Sequence, residues 1–323
     1  MGRKVKIAII LFNLGGPDSL EAVQPFLRNL FSDPAIINLP AWLRLPLARF
    51  IAARRTPKAL GIYEKIGGGS PILGQTEAQA RALEGALEDA LGGEHEWRGY
   101  VCMRYWHPMT ERVVQSVRRF APDRIVLLPL YPQYSTTTTA SSFAAWKKAA
   151  NFKVPTVEVE SYPTEPGFIR ASIEMVKQGL AEVPEMPVRV LFSAHGLPEK
   201  VIKRGDPYQR QVEETASAIA EHLDGVDWSV CYQSRVGPLK WIGPSTDAEI
   251  RRAAADGKSI VLYPLSFVSE HSETLVELDI EYRHLAEQAG VTRYVRVPAV
   301  GTHPQFIHGL ANLVKAALWS TKS

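Results

Sequence analysis

The sequence predicts an α/β protein of two similar open domains, each built on a parallel sheet. Short runs rich in Val and Ile alternate with helical patterns at 76–91, 111–120, 168–183 and 208–224. That alternation is what βαβ units require. Three of these runs also recur in the second half of the chain, in the same order. "ILFNLGGP" at 10–17 resembles "VLFSAHGLP" at 190–198, and "GYVCMRY" at 99–105 resembles "WSVCYQSR" at 228–235. The longest echo, "RIVLLPLYPQYSTTT" from Arg124, meets "SIVLYPLSFVSEHSE" from Ser259 without a gap. The expected division is 1–153 and 154–303, with a C-terminal helix over 304–323 packing back on the first domain.

Bulk properties agree with this division. A chain of 323 residues suffices for one large domain or two ordinary ones. With 46% apolar and 22% charged residues it reads as soluble and globular, and a net charge of +3 does not suggest nucleic acid. The two cysteines, Cys102 and Cys231, sit in apolar runs without metal-site spacing, as small core residues of a reducing compartment.

The N-terminus, "MGRKVKIAIILFNLGG", sets Arg3, Lys4 and Lys6 ahead of six apolar residues and so mimics a signal peptide. The run is too short, and Gly15–Gly16–Pro17 is no small-residue cleavage site, so a buried first strand fits better. No segment approaches the roughly 20 apolar residues of a membrane span. The expected location is the cytoplasm, with peripheral contact at the inner face of the membrane.

From the first strand to the second takes about ninety residues in the first half and about forty in the second. The surplus lies near 20–75. Its core, "LPAWLRLPLARFIAARRTPK", surrounds Trp42, Leu45 and Phe50 with Arg44, Arg49, Arg54, Arg55 and Lys58. Apolar bulk with a basic edge suits a membrane-surface element over residues 41–55 or the lip of a pocket for a greasy anion. A helix packed on its own domain fits equally.

Open α/β sheets bind ligands beyond the carboxyl ends of their strands. There the echoed runs place Asn13, Arg104, Tyr105, Tyr131, His195, Gln233, Glu270, His271 and Glu273. The halves are unequal. Thr136 and Thr138 stand in the first where His271 and Glu273 stand in the second, and glycine or leucine answers His195. An imidazole at a strand end accepts a proton or binds a borderline metal near neutral pH.

The last of the echoed runs leads into "SEHSETLVELDIEY". As an α-helix capped by Ser269, it gathers Glu270, Glu273, Glu277 and Glu281 within roughly 80° of arc. Leu275, Leu278, Tyr282 and Leu285 form an apolar stripe beside them. Such a row fits a solvated face near a helix N-terminus. It also fits a path carrying cations inward or protons outward, since basic partners are missing until Arg283. The glycine signals are weak: "IGGGSP" lacks the Lys-Ser/Thr of a P-loop, and "NLGGPDS" lacks dinucleotide spacing.

Taken together, "LLPLYPQYSTTTTASS", "SAHGLP", "YQSRVGPLKWIGPSTD", "RRTPK…IGGGSP", "MRYWHP" and "SEHSETLVELDIEY" resemble the ferrochelatase family, which inserts Fe²⁺ into a porphyrin. The resemblance runs from about residue 7 to 310. It implies a chelatase-type fold of two Rossmann-like domains with a porphyrin cleft between them. By position it implies His195 and Glu273 as catalytic and metal-site residues, and Glu270, His271, Glu277 and Glu281 as an acidic path. It further implies Leu14, Arg55, Lys58, Tyr63, Ser70, Arg104, Tyr105, Tyr131 and Trp241 as porphyrin-binding positions.

Fe²⁺ is then a substrate, protoporphyrin IX its acceptor, and no cofactor is required. Thr136 replaces the loop cysteine of cluster-bearing relatives, and "ANLVKAALWSTKS" holds none, so no [2Fe–2S] cluster is expected. Leu14 stands where some relatives carry methionine. Other readings are a coproporphyrin or other tetrapyrrole chelatase, and a non-catalytic porphyrin or haem carrier.

Overall fold

From Ile7 to Asn13 every residue of the first strand, Val5–Asn13 (β1), is buried, the mark of a central strand covered on both faces. The computed structural model describes residues 3–184, 187–235, 237 and 239–319. After β1 come α1 (Val23–Phe31), α2 (Ala41–Glu64), α3 (Ile72–Leu91), β2 (His95–Met103), α4 (Thr110–Phe120), β3 (Arg124–Pro129), α5 (Thr139–Ala149) and β4 (Thr156–Glu158). The second half holds α6 (Pro166–Ala181), β5 (Val188–His195), α7 (Glu199–Lys203), α8 (Tyr208–Ala220), β6 (Asp227–Gln233), α9 (Thr246–Ala255) and β7 (Ser259–Pro264). A π-helix (Glu273–Glu281), α10 (Tyr282–Ala289), β8 (Tyr294–Arg296) and α11 (Pro304–Trp319) follow.

The pairings between these strands are all parallel. The first sheet runs β2-β1-β3-β4 and the second β6-β5-β7-β8, one order used twice. The ladders fix the correspondence residue by residue. Phe12 pairs with Cys102 and Pro129, while Ser193 pairs with Cys231 and Pro264. The two cysteines therefore hold one ladder position, and Leu14 occupies the place of His195. This register is one residue out of step with the literal match of "ILF" to "VLF".

Loop bonds repeat too. Leu130 N–H donates to Phe12 O and Leu265 N–H to Ser193 O; Met103 N–H donates to Pro108 O and Tyr232 N–H to Pro244 O. Each sheet is covered by its own core. In the first, Phe12 meets Phe143 and Trp146 edge-on at 5.6 and 6.1 Å. In the second, Leu191, Ile250, Ile260, Leu262 and Leu278 pack around Cys231. Each such buried side chain stabilises its fold by about 1.5–3 kcal/mol.

The chain separates into two units whose boundaries differ from the expected ones. The first comprises the residues up to Tyr131, Ser135–Ser161 and those from Leu310 on; the second comprises Pro132–Tyr134 and Tyr162–Gly309. The border falls after Ser161 rather than 153 because β4 pairs with β3 and completes the first sheet. The last helix is shared. In the second unit, Phe306 meets Phe168 at 5.9 Å. There a Cβ on Gly167 would come within 2.3 Å of the Gln305 carbonyl oxygen. Only from Leu310 does α11 belong to the first unit, where Trp319 sits against His95 and Trp97 and the Leu318 carbonyl accepts from Arg124.

The outer edge of β2 is guarded: Glu84 of α3 accepts the Gly99 N–H. In α2, Pro46 and Pro57 lie inside the helix, and only Ala48, Ala52 and Tyr63 are buried. Trp42 is 73% exposed and Phe50 65%, so most of its apolar bulk faces outward.

Candidate active site

In the second unit, the carboxyl ends of β5 and β6 meet the start of the π-helix. His195 is the last residue of β5, and its Nδ1 lies 2.9 Å from Glu273 Oε2. Gln233, the last residue of β6, approaches the same oxygen with Nε2 at 3.4 Å, while Ser193 Oγ donates to its Oε1 at 2.8 Å. Ser234 follows in the left-handed region, at φ 59°. A β-carbon is unfavourable there, yet this turn aims both backbone and side chain at acids. The Ser234 N–H donates to Glu277 Oε1 at 2.8 Å; its hydroxyl lies 2.5 Å from Glu277 Oε2 and 3.0 Å from Glu273 Oε2.

The electrostatics divide the acids into two kinds. Burial opposes charge on His195, but the charge and hydrogen bond of Glu273, helped by Glu277, raise its pKa above 6.5. Burial likewise opposes ionisation of Glu273; His195, then His271 and Ser234, overcome it and hold the carboxyl down at about 2. Glu277 moves the other way, raised by burial and then by the charge of Glu273. A charged acid thus adjoins one that holds its proton more tightly. The His195 side chain is 38% exposed, and Glu273 leaves its Nε2 to the open side.

The expected acidic row is rearranged. Residues 273–281 form a π-helix, wider than the α-helix that the spacing suggests, and it begins after Ser272 rather than at a Ser269 cap. Ser269 instead presents its carbonyl to His271 Nδ1 at 3.2 Å. Glu270 precedes the helix and turns to Arg296, at 2.5 Å, and to the Ala299 N–H, at 2.9 Å. The basic partner absent along the helix comes from β8. His271 is buried, its ring 4.6 Å from that of Phe267. Glu281 is exposed. Glu273 and Glu277 therefore form a pair, with Glu281 beyond it at the surface.

In the first unit, Leu14, Tyr63, Tyr105 and Trp106 gather in one apolar cluster with α1. Arg55 lies over the Phe31 ring at 5.4 Å, and Lys58, one helical turn on, is exposed. Ser70 donates its N–H to Pro17 O at 2.7 Å, and Gly16 must be glycine because a Cβ would meet Ser70 at 2.6 Å. Arg104 and Tyr105 converge on Asp33 at 2.7 and 2.9 Å. Burial pushes the Tyr131 hydroxyl well above its ordinary pKa. Trp241 belongs to the second unit, in a bridge to Pro198.

Two residues outside the sequence-based site organise these clusters, Ser234 and Asp33. Ser234 lies in the quoted "YQSR" but nothing in a serine announces a left-handed turn. Asp33 carries only the weak signal of an Asp-Pro turn.

Comparison with known proteins bears on this arrangement. A family model described as ferrochelatase matches residues 6–318. The ferrochelatase of Caulobacter vibrioides is 56% identical over 312 residues, covering 96% of this chain and 90% of the relative. That of Pelagibacter ubique is 50% identical over 315 residues, covering 96% and 91%. Among solved structures, SirB from Bacillus subtilis with Fe³⁺ aligns with a TM-score of 0.58 at 13% identity, covering 98% of this chain and 96% of that one. CbiX, the terminal enzyme of sirohaem biosynthesis in denitrifying bacteria, aligns with a TM-score of 0.53 at 16% identity, covering 98% and 99%. At such low identities the structural likeness is one of fold.

Proposed function

The chain belongs to the ferrochelatase family of metal-insertion lyases, and we propose that it inserts Fe²⁺ into protoporphyrin IX, forming protohaem and releasing two protons. The observation that carries this reading is the His195–Glu273 pair, 2.9 Å apart at the carboxyl end of the second sheet. Insertion replaces two pyrrole N–H protons by one divalent metal ion, so the site needs a proton acceptor that also tolerates a cation. His195 takes the first proton at its open Nε2. Glu273, held ionised, stabilises the imidazolium and lends negative charge to the entering iron.

Glu277 has the opposite bias and takes up protons readily; from it Glu281 leads to solvent. Glu270, neutralised by Arg296, stands outside this relay. His271 supports the charge of Glu273. Porphyrin is held by the residues that the family resemblance assigns. Arg55, Lys58 and Ser70 take the propionates; Leu14, Tyr63 and Trp241 press on the ring, and Arg104, Tyr105 and Tyr131 supply polar contacts. Packing against rigid walls bends the ring and exposes its nitrogen lone pairs.

No redox step occurs, so no cofactor is needed. A [2Fe–2S] cluster takes four cysteine thiolates or an equivalent set, and this sequence has two cysteines, both buried. No helix among the described residues is long and apolar enough to cross a membrane. Peripheral contact at the cytoplasmic face through residues 41–55 fits the outward Trp42, Leu45 and Phe50 with their arginine neighbours. Replacing those three by Ser abolishes liposome binding on this reading; an unchanged affinity removes it.

The test of function is anaerobic metallation followed by porphyrin absorbance, with wild type and His195→Ala. Metallation by the wild type, lost in a variant that still binds porphyrin, supports a chelatase working through His195. Porphyrin binding without metallation in the wild type leaves a carrier or a chelatase for another ring. A preference for coproporphyrin over protoporphyrin reassigns the substrate.

A further inference from the structure

Asp33 lies two residues beyond α1, inside the inserted stretch, and its side chain is 2% exposed. A carboxylate at that depth is costly unless its lone pairs find donors. Its Oδ2 has three, Arg104 Nη2 at 2.7 Å, the Tyr105 hydroxyl at 2.9 Å and the Ser141 hydroxyl at 2.5 Å. Oδ1 accepts the Ala35 N–H at 2.9 Å.

These donors come from separate elements. Arg104 and Tyr105 follow β2, Ser141 lies in the first turn of α5, and Asp33 itself belongs to the insertion. Arg104 is held twice, because its Nε also donates to Ser141 Oγ at 2.7 Å. The guanidinium lies over the Tyr105 ring at 5.1 Å, and Asn29 of α1 donates to the Tyr105 carbonyl at 3.1 Å. Even so, the Arg104 side chain remains 21% exposed at the carboxyl end of the first sheet. Two edges of the fork are fixed while part of it still faces outward.

We propose that Asp33 is a positioning residue for metal insertion: it fixes Arg104 and cancels its charge, so that a divalent cation meets a neutral pair at this sheet end. The inference rests on the chelatase reading and deepens it. An uncompensated guanidinium repels Fe²⁺ and attracts the anionic porphyrin, so loss of the Asp33 charge affects the two substrates differently. A purely structural role predicts no such split.

The experiment compares wild type, Asp33→Asn, Arg104→Gln and the double variant. Anaerobic metallation of protoporphyrin is measured with each substrate varied in turn, alongside thermal melting. Asp33→Asn raises KM for Fe²⁺ on the order of tenfold, while KM for porphyrin does not rise. In the double variant, whose pair is again neutral, KM for Fe²⁺ returns to within about twofold of the wild-type value. This last comparison holds even if Asp33→Asn alone fails to fold. Parallel rises in both KM values, or a double variant whose KM for Fe²⁺ stays raised on the order of tenfold, overturn the inference. A wild type that metallates beside an Asp33→Asn of unchanged KM overturns it alone. A wild type that does not metallate overturns the chelatase reading and the inference together.

Discussion

The two sheets share strand order, ladder register and loop hydrogen bonds, and differ at one end in what their equivalent residues hold. After β2, Arg104 and Tyr105 close on the single carboxylate of Asp33. At the end of β6, the ladder-equivalent Gln233 and Ser234 close on Glu273 and Glu277. Where β5 ends in His195, the same place after β1 holds Leu14. One scaffold thus carries two kinds of acid cluster. The first is closed, its buried carboxylate met by donors from several elements. The second is more open, its two acids biased in opposite directions, with a half-buried imidazole beside it. Scaffold and chemistry are separable here, because chemistry depends on a few positions beyond the strand ends.

The harshest way to break the comparison is to make the open cluster resemble the closed one. His195→Ala lowers metallation by about 10²–10⁴-fold, the usual worth of a positioned acid–base group, while porphyrin binding persists. Absorbance kinetics on the purified variant check this, and retention of more than half the rate disproves the role of His195.

Next comes Glu273→Gln. Its rate falls by about 10–100-fold, as for partners that orient a reacting group, and the pH profile moves in a defined direction. His195 is a base only when neutral, and Glu273 raises its pKa. Activity in the wild type therefore climbs with pH through a value above 6.5. Without the carboxylate charge that limb shifts to lower pH; a shift upward contradicts the assignment.

Ser234→Gly separates positioning from folding. Glycine adopts positive φ freely, so it loses the hydroxyl contacts to Glu273 and Glu277 while relieving the backbone. Melting stays within about 1 kcal/mol of wild type, and metallation falls on the order of tenfold. A variant with full activity removes Ser234 from the machinery.

The mildest substitutions probe the shared scaffold itself. Cys102→Ala and Cys231→Ala occupy one ladder position in two sheets, both buried at 1% exposure or less. Each costs about 1 kcal/mol in denaturant melts, and neither changes the rate. Strongly unequal costs indicate that the two cores are packed to different tolerances.

The scaffold was the most legible part of the chain. Continuous apolar runs mark covered parallel strands, and their repeated order announces two sheets. His195 and Glu273 were legible through their position at strand ends and the family resemblance. What stayed hidden depends on distant partners or on backbone choices that composition does not record. Glu270 looked like part of a row because its partner, Arg296, lies 26 residues away on another strand. Nine residues of apolar spacing fit α and π winding alike, so the wider helix at 273–281 left no periodic signature. The left-handed turn at Ser234 and the depth of Asp33 arise from tertiary packing.

The guarded edge of β2 has a consequence for how the chain is made. Glu84 leaves the ribosome before Gly99, so an acceptor is already waiting when that outward N–H emerges. A nascent first sheet, still without its second half, presents one fewer open rung to a neighbouring chain on a crowded polysome.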